Sequence, residues 1–251
     1  MCNPLKDALR RKVFFLVSII LLLSVTGKTS ADLVVYWRLD EGSGTTAYDS
    51  SGNGYDGEFI GDPQWVDGHG GGGALEFDGD DDNVLYSLEE ATAWPAFSIT
   101  FWVKATTLGQ DNYSSPFSGH YPNTAGFQID VEGSNPGSYR VNPSGLLFGT
   151  ASLDWVHLAL IAEGTAAKLY YNGELTNEGT LNDSIINQFR LGQNRNNSNT
   201  FAGTVDELRV YDHAISEAEL IVAMEGKIYP YAYGPEPADS TIYTDTWASL
   251  S

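Results

Sequence analysis

The stretch Phe201-Ala202-Gly203-Thr204-Val205-Asp206-Glu207-Leu208-Arg209-Val210-Tyr211-Asp212-His213-Ala214-Ile215-Ser216-Glu217-Ala218-Glu219-Leu220 decides how the chain is read. Val205, Leu208 and Val210 stand among polar and charged neighbours in a short β-prone run. Ser216 with Glu219 three residues on has the form of a capping box, in which each residue satisfies a free backbone N–H of the other. Ala218, Leu220, Ile221 and Met224 then give one apolar helical face. The stretch predicts a last strand, a turn and a closing helix. Asp206 is its odd residue, because an acid near the middle of a strand is disfavoured unless it faces a cation, a donor or water.

Upstream, from Leu33, short runs rich in Val, Ile, Phe, Tyr, Trp and Thr alternate with clusters of Gly, Asn, Asp and Ser. That spacing is the pattern of an antiparallel sandwich. Leu33 to Leu39 is the first run, and Asp40 to Gly61 is almost all turn chemistry. Phe97, Ile99, Phe101 and Val103 alternate with Ser98, Thr100, Trp102 and Lys104, so one face of that strand goes to the core. Trp155 to Ile161 and Lys168 to Tyr171 bracket a turn and read as a hairpin, with His157 as a packing residue in the sheet. Asp78 to Asn83, with Glu89 beyond, nearly fits an EF-hand loop. Asn83 replaces the required glycine and the flanks are strand-like, so a surface hairpin is predicted instead.

The ends differ from the middle. Lys6, Arg10, Arg11 and Lys12, an apolar run from Val13 to Val25 and small residues at Thr29-Ser30-Ala31 predict a signal peptide over 1–31. The apolar run is too short for a span: it covers about 20 Å of helix against about 30 Å of hydrocarbon. A β-sandwich domain is expected over 32–230, and a Pro- and Gly-marked linker with the start of a possible further β domain over 231–251. The expected location is secreted, extracellular or at the cell surface. The formal net charge is −20, which disfavours nucleic acid and anionic lipid as partners. Cys2 is the sole cysteine and lies in the signal, so no disulfide is expected in the domain.

With those residues in hand, the chain resembles the laminin-G-like, concanavalin-A-like jelly-roll domains of secreted bacterial proteins. The matching pieces are Tyr36 to Asp40, Asp49 to Gly54 with Gly57, Gly73 to Gly79, Ser98 to Lys104, Asp154 to Ala159, Leu169 to Gly173 and Phe201 to Leu220, in that order. The resemblance implies an all-β fold, an antiparallel two-sheet jelly-roll sandwich with a short C-terminal helix. It also implies a structural Ca²⁺ held by loop carbonyls and an acid on the last strand. Carried over, that acid is Asp206, with Asp40, Asp49 and Asn53 as partners from the loop. Tyr171-Asn172 stands where the family often has Val-Asp before glycine, which removes one potential ligand.

Some proteins of this fold are glycoside hydrolases, which need two carboxylates flanking the scissile bond. Gln128-Ile129-Asp130-Val131-Glu132 resembles the strand that carries them, but Gln128 replaces the first acid. A strand with its acids facing solvent is predicted there, and no enzyme activity is expected. The expectation is a non-catalytic carbohydrate-binding or adhesion module, with a polysaccharide, a glycan or another surface protein as partner. Tyr113, His120 and Tyr121 from one long loop and Asn194, Arg195 and Asn196 from another are the candidate sugar contacts, offering stacking faces and hydrogen bonds. The module is expected to be monomeric within a larger chain, and the alternatives are a structural spacer domain of a larger surface protein and a glycoside hydrolase-type enzyme.

Overall fold

A computed structural model describes residues 33–120, 126–134, 136–181 and 183–226. The expected signal peptide, the expected linker over 231–251 and Tyr121 lie outside those residues. Two antiparallel sheets form the body. The first runs, in spatial order, β14 (Glu174–Thr180), β13 (Ala166–Tyr171), β12 (Val156–Glu163), β7 (Ala96–Ala105), β16 (Ala202–Tyr211), β5 (Gly73–Asp78) and β4 (Gln64–Asp67), with β1 (Leu33–Trp37) also on β16. The second runs β11 (Leu146–Thr150), β10 (Ser138–Asn142), β9 (Gln128–Val131), β8 (Phe117–Ser118), β15 (Ile185–Leu191), β6 (Asn83–Ala93), β3 (Gly57–Ile60) and β2 (Thr46–Ala47).

Period-2 alternation builds the core between them. Ile99, Phe101 and Val103 of β7 and Val205, Leu208 and Val210 of β16 meet Ile129, Val141, Phe189 and Leu191 of the second sheet, all fully buried. Phe97 stacks on Phe127 at 5.1 Å between ring centroids, joining the two layers. Each such side chain contributes about 1.5–3 kcal/mol through removal from water.

The closing stretch folds as its sequence predicts: β16, a turn, and helix α1 (Glu217–Met224) with both halves of the Ser216–Glu219 capping box formed. The buried helical face differs by a small rotation. Leu220 is buried against Ala159, Ile161 and Tyr170, with Met224 partly buried on the same cluster, and Ala223 is buried as well, whereas Ile221 is 55% exposed. The reason is that the helix covers only the outer face of the first sheet, and one layer of contact leaves the flank open.

Two expectations are corrected. The segment between β5 and β6 is no hairpin: β5 pairs with β4 and β16, while β6 pairs with β3 and β15 in the other sheet. Phe77 and Val84 enter the core from opposite layers, so the chain must cross between them. Asp82 staples the crossing, accepting from the backbone N–H groups of Asp62 at 2.8 Å and Asp78 at 3.1 Å. The β9 acid Asp130 does not face solvent. It is fully buried, because loops cover the outer face of the second sheet as well.

Candidate functional site

Two cross-strand rows of polar side chains lie on the outer faces of the sandwich, one per sheet. The first is His157–Trp102–Asp206, on β12, β7 and β16. Its position follows from a change of partner along β16. Residues 202–205 pair with β5, residues 208–211 pair with β1, and the register slips between them, with Glu207 at φ 56°. Asp206 therefore sits where neither neighbour supplies a ladder partner on that edge.

The turn over residues 68–73 fills the gap. His69 N–H donates to Asp206 Oδ2 at 2.8 Å, and Gly73 N–H donates to Asp40 Oδ1 at 2.7 Å, so the turn is strung between two acids. Glycines are needed for that approach: a Cβ on Gly68 would lie 2.0 Å from the Gly73 carbonyl oxygen, and one on Gly72 2.3 Å from Asp40 Oδ1. The His69 ring stacks on Trp102 at 3.5 Å between centroids. Asp206 Oδ1 is buried without a hydrogen-bond partner, as are both ring nitrogens of His157. Burial first, and then the charge of Glu207, pushes the Asp206 carboxyl up to about 8. Burial, followed by Arg209 and His69, pushes the His157 imidazole down to about 3.

Asp206 and Asp40 are thus brought to one turn, and the donor set, hard carboxylate oxygen with one buried oxygen unpartnered, suits a calcium-type cation. The other two expected ligands, Asp49 and Asn53, make hydrogen bonds to β1 and their own loop. Asp49 accepts from the N–H groups of Tyr36, Ser51 and Tyr55 and from the Ser51 hydroxyl, while Asn53 donates to the carbonyls of Leu33 and Val34. Both fasten their loop to β1. Asp62, Asp81 and Asp82 also bring carboxylate oxygens within 4.8 Å of one another at the strand crossing.

The second row is Arg190–Ser118–Gln128–Asn142, opposite one another on β15, β8, β9 and β10. The next rank holds Asp130 opposite Arg140. Here the polar groups find one another. Gln128 Nε2 donates to Asp130 Oδ2 at 2.7 Å and Arg140 Nε to Asp130 Oδ1 at 2.7 Å. Gln188 Nε2 donates to the Ser118 hydroxyl at 3.1 Å. Burial is the leading influence on Asp130 and leaves its carboxyl above the usual range, against the lowering effect of Gln128 and Arg140.

The candidate sugar contacts gather around this second row. Arg195 N–H donates to Gln128 Oε1 at 3.2 Å, its Nη2 to Asn142 Oδ1 at 3.2 Å and its Nη1 to the Gly126 carbonyl, so loop 193–200 is drawn across β8 and β9 to β10. The Tyr113 ring, 42% exposed, lies under the Arg140 guanidinium at 4.9 Å. Asn194 is buried and folds its own loop, accepting from the N–H groups of Asn196 at 3.0 Å and Ser198 at 3.1 Å. Asn196 is exposed beside it, and His120 is buried with Nδ1 unpartnered. The sequence reading missed Gln128, Arg140, Asn142 and Arg190 as members of this face. Their meeting on one face depends on strand order, which no local signal carries.

Known proteins share this fold. The model of the concanavalin A-like lectin/glucanases superfamily, in its laminin-G group, matches residues 78–221, more than half of the chain. The chain belongs to that superfamily. Among solved structures, this lectin-like domain is similar to domain 4 of an extracellular arabinanase from Geobacillus stearothermophilus, solved in complex with arabinotriose. That match has 22% identity and a TM-score of 0.62, over 77% of this chain and 98% of the other. The binding domain of Paraclostridial Mosquitocidal Protein 1 matches at 18% identity and a TM-score of 0.59, over 77% of this chain and 51% of the other. A Trypanosoma rangeli sialidase matches at 13% identity and a TM-score of 0.56, over 75% of this chain and 32% of the other. At these identities the likeness shows the fold. No match is found among curated proteins.

Proposed function

We propose that this chain is a secreted, non-catalytic glycan-binding module whose fold is tied by a structural calcium ion. The observation that carries the reading is the second row. A rank of hydrogen-bonding side chains on a rigid sheet is tied by Arg195 to a polar loop, with the half-exposed Tyr113 ring at its border. Fixed donors and acceptors beside an aromatic face are what a sugar needs from a protein surface. The superfamily and a structural neighbour that holds arabinotriose support the same reading. The absence of catalysis is supported by Asp130, whose two oxygens are held by Gln128 and Arg140, and by an amide at 128 where a glycosidase would place the first of its acids.

Asp206 and Asp40 would hold the cation. A bound Ca²⁺ would neutralise two acids that face one turn and satisfy the unpartnered Asp206 oxygen. Residues 1–31 would direct the chain out of the cell, where calcium is plentiful. Among the described residues no helix is long and apolar enough to cross a membrane.

The test is a glycan and polysaccharide array probed with the full chain in calcium. Saturable binding that weakens about tenfold in Tyr113→Ala, the loss of roughly 1.4 kcal/mol of stacking, is the expected result. Silence across a broad array would refute it and favour a spacer or protein-adhesion domain.

A further inference from the structure

The chain is strongly acidic, yet the outer face of the second sheet is where its arginines collect. Residues 32–251 contain eight Lys and Arg against thirty-two Asp and Glu. Three of the eight, Arg140, Arg190 and Arg195, belong to the second row or its border. Elsewhere the described cations stand beside acids or aromatic rings: Arg38 with Asp40, Lys168 with Glu178, Arg209 with Glu207 and Lys104 over Trp155. Arg195 differs. Its contacts among the described residues are neutral oxygens, the Gly126 carbonyl and the Asn142 side chain, and no carboxylate lies in ion-pair range of it there. A guanidinium has five N–H donors, and those two contacts leave the rest of the fork for an acceptor.

Arg195 is also prepaid in position. Its backbone N–H is fixed by Gln128, and its side chain reaches β10 along a single path, so little rotamer freedom is left to lose on binding. It is half-buried, and burial is what bears most on its guanidinium, with only the more distant attraction of Asp130 and Asp183 opposing. A cation held in a partly dry place beside neutral oxygens gains most from a planar anion that accepts two parallel hydrogen bonds. A neutral sugar hydroxyl offers neither the charge nor the fork geometry. The chain as a whole carries a net charge of −20, which opposes polyanions, so an anion that binds it must do so through a local cation.

Building on the glycan-binding reading, we infer that the ligand is an acidic polysaccharide, one whose carboxylate or sulfate group docks on Arg195 between Asn142 and loop 193–200. The sugar ring beside that group would lie toward Tyr113 and Arg140. This assigns the charge class of the ligand and makes Arg195 its specificity-determining residue.

The experiment measures binding of the full chain to polygalacturonate, to the same polymer with its carboxyl groups reduced, to dextran sulfate and to neutral arabinan. The expected result is binding to at least one acidic polymer, lost at least tenfold between 50 and 500 mM NaCl as charge screening requires. For a carboxylate ligand, reduction should abolish binding, while preference for dextran sulfate would identify sulfate as the group. Arg195→Gln should weaken acidic-polymer binding more than tenfold, and Arg195→Lys, which keeps the charge without the fork, should weaken it less. Thermal melting of both variants guards against misfolding, and the reduced polymer tests the idea with no variant at all. Tight binding to arabinan with indifference to the acidic polymers overturns this inference and leaves the glycan module standing. Binding to no polymer overturns both.

Discussion

The two rows on the outer faces are built from similar materials and solve opposite problems. In His157–Trp102–Asp206, buried polar atoms outnumber their partners: Asp206 Oδ1 and both nitrogens of His157 have none. In Arg190–Ser118–Gln128–Asn142, every member hydrogen-bonds to a neighbouring side chain or carbonyl. A buried polar group without a partner costs about 1–3 kcal/mol. The first row can therefore persist only if its groups are neutral or if something from outside supplies the missing charge. Hydrogen bonds at each member cross-link the second row, and a cross-linked polar network is rigid, which is what a recognition surface requires. The difference bears on where each proposed ligand would go: an ion would complete the row whose buried atoms lack partners, and a glycan would lie on the cross-linked one.

The largest effect should come from removing the proposed calcium ion. A cation that binds only the folded chain stabilises it by about 4 kcal/mol at a thousandfold excess over its Kd. For a domain of this size that corresponds to roughly 10 °C in Tm. Thermal melting in 5 mM calcium and again in EDTA should show a shift of that order. Asp206→Asn should erase the calcium dependence and melt at least as high as the parent chain in EDTA, because the amide removes a charge that burial opposes. Equal melting of the parent chain in both buffers would remove the ion and leave Asp206 neutral.

The other end of the same row gives a smaller effect through pH. His157 is fully buried, and its folded-state pKa is lowered to about 3 from 6.5. The unfolded chain then binds a proton more readily than the folded one. Stability from this group is complete above pH 6.5 and is lost as pH falls toward 3. Between pH 7 and 5 the loss is about 2 kcal/mol at roughly 1.4 kcal/mol per pH unit. His157→Phe, which keeps a ring against Trp102, should flatten that part of the curve in chemical denaturation at fixed calcium. An unchanged slope would mean that the imidazole finds a proton acceptor or water in the fold.

How much of this was legible beforehand divides along the same line. β16 and the capping box could be read from Phe201 to Leu220, because alternation and capping are local rules. Asp206 stood out for the same reason: an acid breaks the local rule where the strand changes partner. Asp130 did not stand out, because an acid alternating with Ile129 and Val131 obeys the rule for a half-exposed strand. Only the coverage of the outer face by loop 193–200, and the register that sets Arg140 opposite Asp130, turn it into a buried anchor. The crossing after β5 was misread for a related cause. Turn-rich residues 78–83 look alike whether they return a strand to its neighbour or carry it to the other sheet.

The smallest effect separates two asparagines that the sequence could not tell apart. Asn194 and Asn196 lie two residues apart in one loop and were equal candidates for touching a sugar. Asn194 is buried, and its Oδ1 collects the N–H groups of Asn196 and Ser198 while Nδ2 reaches Asn199 Oδ1 at 3.1 Å. It shapes the loop that carries Arg195 and presents no group outward. Asn194→Ala should cost about 1 kcal/mol of stability, since backbone donors in the loop lose their acceptor, and it should weaken binding of every glycan that the chain accepts. Asn196 is exposed, and its alanine variant should stay within about 0.5 kcal/mol of the parent in stability. Any loss of affinity in Asn196→Ala would then report a direct hydrogen bond to the ligand. If instead Asn194→Ala binds as the parent does, loop 193–200 is ordered by Arg195 alone, and the rigidity assigned to the second row rests on Gln128 and Asn142.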